Sequence, residues 1–127
     1  MKKEDFAKIV SIAIDKLPEA GKRAMKNVVF FIEPEVRKIK ANEIGIKKGE
    51  ILLGLYEGIP KAKRGSGYFG VLPDKITIFQ EPIEIICSGD PERIRQEVYR
   101  VVYHEVGHHL GFDEEGIRIK ELSINKK

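Results

Sequence analysis

The sequence predicts one small domain that mixes helices with short strands. Three observations carry this. Two segments, near the N-terminus and at 90–110, repeat apolar residues every three or four positions. Three short runs rich in β-branched and aromatic residues lie between them. The chain has 127 residues, which is one modest hydrophobic core. Charged residues make up 34% and hydrophobic ones 42%, a balance that argues against disorder.

Residues 3–17 place Phe6, Ile9, Val10, Ala13, Ile14 and Leu17 at helical spacing. Pro18 breaks that pattern and is tolerated in the first turn of a second short helix running to about Met25. Val28 to Glu33 reads as a buried strand that ends at Pro34. Residues 35–50 show no clear periodicity; Gly45 and Gly49 suggest turns around mixed polar segments. Ile51 to Gly58 reads as a strand with a glycine inside it. Residues 58–70, rich in glycine and basic side chains, read as a long exposed loop or loose hairpin. Lys75 to Phe79 is a third strand, bracketed by Pro73 and Pro82. The pattern of the following EPIEIIC segment fits strand, helical turn or extended loop equally well.

Residues 90–110 form the longest predicted helix. Asp90 is a capping residue, and Pro91 suits the first helical position because its missing N–H would be unpaired there anyway. Ile94, Val98, Val101 and Val102 make an apolar stripe that Glu105 and His108 continue. Gly111 suits the turn that ends it.

No apolar run is long enough to span a bilayer, and the N-terminus lacks a signal-like apolar core, so a cytoplasmic, non-membrane protein is expected. Cys87 is the only cysteine, which excludes an intramolecular disulfide and agrees with a reducing compartment. The net charge of +3 is mild, and the basic patches at 47–48, 61–64 and 126–127 read as solvated loops and a tail. Nucleic acid is therefore disfavoured as a partner.

The chemistry is concentrated at His104-Glu105-Val106-Gly107-His108. Histidines four apart stand one turn apart on one helical face, so both imidazoles can reach one ion. Neutral imidazoles leave a zinc ion its charge, and a water at an open position becomes acidic near neutral pH. Glu105, next to the first ligand, is the general base for that water. Two ligands are too few. By spacing, Glu114 is the preferred third, brought back by a turn at Gly111, and Asp113 is the competing carboxylate. A structural histidine pair satisfied by Glu105 and Glu97 is the competing account; it buries polar groups without a clear structural gain.

His109 lies about 100° around the helix from His108 and is expected to support the ligands rather than join them. Tyr56, Tyr99 and Tyr103 read as core or cleft residues. Tyr68, in the glycine-rich loop, is a candidate donor to a tetrahedral oxyanion, and Arg64 a candidate partner for a substrate carboxylate.

From His104 onward the segment resembles the metzincin-like branch of the zincins. The broader chain resembles a small bacterial and archaeal family of minimal zincin-like metallopeptidases, through Leu53-Gly54-Leu55-Tyr56-Glu57-Gly58, Arg64-Gly65-Ser66-Gly67-Tyr68, Gly70-Val71-Leu72-Pro73-Asp74-Lys75-Ile76 and the 104–115 motif. The resemblance implies an α+β fold over 1–127, with a small mixed or antiparallel sheet packed on a long active-site helix. It implies His104 and His108 as zinc ligands and Glu105 as the base. It also implies a sheet edge that lines the cleft and pairs with an extended peptide; Ile76 to Phe79 is the strand expected there, with Ile76 and Ile78 as substrate-binding positions. The family's third-ligand position usually holds Asp, where this chain has Glu114. Larger metzincins have a methionine turn after the motif, and this chain has no methionine after Met25.

The expected function is zinc-dependent hydrolysis of peptide bonds in short or unfolded segments, with a cleft small enough that a second subunit or a partner can complete it. The alternatives are a metal-dependent RNA endonuclease, which Glu105 and the carboxylate at 114 disfavour, and a non-catalytic zinc-stabilised binding domain, which would need a closed four-ligand site.

Overall fold

The computed structural model describes residues 1–45, 51–58 and 74–110. In chain order the elements are α1 (Lys3–Asp15), α2 (Glu19–Ala24), a single 3₁₀ turn (Met25–Asn27), β1 (Val28–Glu33), α3 (Lys38–Glu43), β2 (Gly54–Glu57), β3 (Asp74–Phe79), α4 (Gln80–Ile86) and α5 (Pro91–His109). The fold is α+β: a small mixed sheet packed against helices, the longest of them α5.

The strand order is β1-β3-β2. β1 runs parallel to β3, with Val28 opposite Asp74 and Glu33 opposite Phe79; β2 runs antiparallel to β3, with Gly54 opposite Ile78 and Glu57 opposite Lys75. β3 is therefore the centre of the described sheet. This corrects the expectation that its backbone lines the cleft and pairs with substrate. Both of its sides are already hydrogen-bonded to strands, and Ile76 and Ile78 are fully buried in the core rather than facing a ligand. The alternation of apolar residues that marks a strand does not say which strand is central, because strand order is set by pairing across long separations.

α5 lies against the sheet and α1. Ile94, Val98, Val101, Val102 and Val106 of α5 join Phe6, Val10 and Ala13 of α1 and Ile76 and Ile78 of β3 in one core cluster. Spacings of four and three residues bring the buried side chains of α1 onto one face. α5 starts as the sequence predicts: the Asp90 carboxylate accepts from the Glu92 N–H at 3.0 Å, with Pro91 in the first turn.

Three local expectations change. The segment without a clear pattern in the sequence, between the turns marked by its glycines, contains α3, whose Lys40 reaches Glu57 of β2 at 2.7 Å. The strand expected over 51–58 is confined to Gly54–Glu57. The ambiguous segment after β3 is α4; its Pro82 sits in the first turn, where no N–H is needed. The loop expected at 58–70 lies, beyond Gly58, outside the described residues.

Candidate metal centre

The last two turns of α5 carry the chemistry. A 19-residue helix buried along one stripe holds its backbone in place, so side chains four apart keep a fixed relation. His104 and His108 are half-buried, and Glu105 between them is buried at 7% exposure. The two Nε2 atoms lie 3.2 Å apart, and the rings meet edge-on at 69°. Two nitrogens bound tetrahedrally at the usual zinc distance of about 2.0–2.1 Å stand about 3.3 Å apart. The 3.2 Å contact is a hydrogen bond between the two imidazoles, and its length is also compatible with both nitrogens meeting one ion. One ligand atom from each of His104, Glu105 and His108 falls within 4.8 Å of the others. This cluster can coordinate a metal ion.

The sheet comes to this helix through a glycine. A Cβ on Gly54 would stand 2.7 Å from Val101 Cγ1 and 3.1 Å from Glu105 Cγ. Even a methyl there would force Val101 to shift, so β2 lies directly over the helix at the level of Glu105. β2 is an edge strand of the described sheet, and it takes the place beside the site that the sequence reading gave to β3.

His109 does not face the cluster. It is completely buried, with Nε2 3.0 Å from the Ala24 carbonyl and Nδ1 2.7 Å from Asp74 Oδ2. Tyr56 donates its hydroxyl to that same Oδ2 at 2.8 Å. Glu97, the carboxylate invoked for a structural histidine pair, is engaged by Arg100 at 2.9 and 2.7 Å. That guanidinium holds the Glu97 carboxyl below its ordinary range, against the opposing effect of burial.

Of the residues singled out in the sequence, the structure brings together His104, Glu105 and His108, and it places His109 behind them. Tyr68, Arg64, Glu114 and Asp113 lie outside the described residues. Asp74 and Gly54 have roles that a local reading does not supply. The signal for Gly54 was a glycine inside a strand, which marks a close backbone approach. For Asp74 no local signal existed, because its partners lie far away in the sequence.

A profile for zincin-like metallopeptidases matches residues 25–123. The chain belongs to the zincin-like metallopeptidase family. The matched span includes the three described strands and all of α5. A conserved hypothetical protein from Thermus thermophilus has a similar structure, with a TM-score of 0.56 and 23% identity over 98% of this chain and 99% of that one. At that identity the likeness speaks for the fold of this zincin-like chain. No curated protein matches it. Among the described residues, no helix is long and apolar enough to cross a membrane.

Proposed function

We propose that this chain is a zinc-dependent peptidase that hydrolyses peptide bonds in short or unfolded segments in the cytoplasm. The observation that carries this reading is the convergence of three groups from one helix. Two imidazole nitrogens lie in contact on one helical face, with a buried carboxylate beside them and one ligand atom of each within 4.8 Å of the others. His104 and His108 hold the metal, and Glu114 completes the ligand set, with Asp113 as its alternative. When bound, zinc supplies Lewis acidity at the scissile carbonyl and makes a coordinated water acidic.

Glu105 takes the proton of the attacking water and returns it to the leaving amine nitrogen. Glu105 is 7% exposed and lies beside β2 at Gly54. β2 runs along the site with Gly54 over Glu105, which supports an extended peptide lying beside this strand. In this reading Tyr68 donates to the developing oxyanion and Arg64 takes a substrate carboxylate.

The test is zinc content and hydrolysis of a peptide library by protein purified without a metal-affinity step, beside E105Q. The expected result is one zinc per chain in both proteins and hydrolysis reduced about 100-fold or more in E105Q. Zinc that survives H104A and H108A, or equal hydrolysis by E105Q, would overturn it.

A further inference from the structure

We infer that His109 is a positioning residue for the metal centre: it ties the final turn of α5 to the Ala24 carbonyl while packed against Asp74 and Tyr56, and so holds His108 opposite His104. The inference rests on the metal-centre reading above.

The ends of helices are their least constrained part, because the last carbonyls have no intrahelical partner and the final turn frays. His108 lies in that final turn, and His109 is the last residue of α5. A metal ligand there needs an anchor. His109 supplies one in two directions. A carbonyl only accepts, so Nε2 donates to Ala24, the last residue of α2. On the other side Nδ1 meets Asp74, the first residue of β3, at 2.7 Å, off the line of a ring N–H bond.

Asp74 is itself held. Tyr56 of β2 donates to its Oδ2, and the Tyr56 ring stands edge-on to the imidazole with centroids 5.7 Å apart. Gly58 leaves room for the other carboxylate oxygen, since a Cβ there would run into the Asp74 side chain. Four elements, α2, β2, β3 and α5, therefore meet on one imidazole adjacent in sequence to a metal ligand. An apolar side chain would fill the same space. It would not fix direction, because dispersion contacts lack the angular preference of hydrogen bonds. β2 also carries Gly54, so the same junction sets the separation of β2 from Glu105.

The experiment compares full-length wild type, H109F, H109Q and Y56F, each stripped of metal. Zinc affinity is read by competition with a chromophoric chelator, cobalt(II) geometry by visible absorption, and apo stability by thermal melting. H109F is expected to bind zinc about 10–100-fold more weakly, the range found when groups that orient metal ligands are removed. Its cobalt spectrum should differ from wild type. H109Q, which keeps a donor near the Nε2 position, should recover part of the affinity, and Y56F should lose less than H109F. H109Q and Y56F carry the test if H109F does not fold. Folded variants with wild-type zinc affinity and cobalt spectra, whatever their melting temperatures, would show that His109 only packs. Wild type that takes up neither metal would remove the metal-centre reading and this inference with it; wild type that binds alongside variants that bind equally well removes this inference alone.

Discussion

Gly54 faces Glu105 across the contact between β2 and α5, so closely that a Cβ at Gly54 would stand 3.1 Å from Glu105 Cγ and closer still to Val101. A strand glycine ordinarily weakens a sheet. Here it is what lets the sheet approach the helix at the carboxylate assigned to proton transfer.

G54A should therefore destabilise the fold by about 1–3 kcal/mol, the usual cost of overpacking. The methyl meets a β-branched side chain on a rigid helix, which has little freedom to move aside. Urea denaturation of G54A, V101A and the double variant checks this. Removing the Val101 Cγ atoms should return part of the loss, so the two changes should be non-additive.

Metal should stabilise the folded state. A ligand that binds only the native chain adds about 2.7 kcal/mol at a free concentration one hundred times its dissociation constant. Melting with zinc and then with excess chelator should show a higher transition temperature in zinc. The difference should vanish in H104A and H108A, where one proposed ligand is gone.

Removing the Asp90 cap is a test of local structure at the other end of α5 from His104 and His108. The Asp90 carboxylate satisfies the Glu92 N–H at 3.0 Å. D90A should cost about 1 kcal/mol, measured by denaturant unfolding. Zinc affinity should not change.

Acid should weaken the protein partly through Glu97. The Arg100 guanidinium lowers the pKa of this carboxyl in the folded state. A lowered folded pKa gives stability that is present above the unfolded value, about 4.3 for Glu, and is lost as the pH falls through the folded value. E97Q should show a smaller loss of stability than wild type between pH 7 and that acidic range, followed by thermal melting across pH.

Cys87 should be a slow nucleophile. It is 2% exposed, and burial first, then the nearby Glu97, pushes its thiol above the ordinary range. Alkylation of the native protein by iodoacetamide should be slow at pH 7.5 and reach the ordinary rate only in denaturant. Rapid modification of the native protein would contradict this packing.

The sequence by itself determined the local elements and the chemistry of α5. Helical periodicity located α1 and α5, β-branched runs located β1 and β3, and Asp90-Pro91 marked where α5 begins, because each of these signals depends on neighbours a few residues apart. The grouping of His104, Glu105 and His108 was legible for the same reason: the pitch of a helix alone puts them on one side. The tertiary structure decided what depends on distant pairing. It placed β3 at the centre of the sheet and Ile76 and Ile78 in the core, although their alternation suits an edge equally well. It made a helix of 38–43, where short segments are settled by contacts such as Lys40 with Glu57 rather than by propensity. It gave His109 its partners, Asp74 and the Ala24 carbonyl, which come from segments 35 and 85 residues away. No spacing rule reaches that far; only the packing of α2, β2 and β3 around the end of α5 brings those groups within bonding distance.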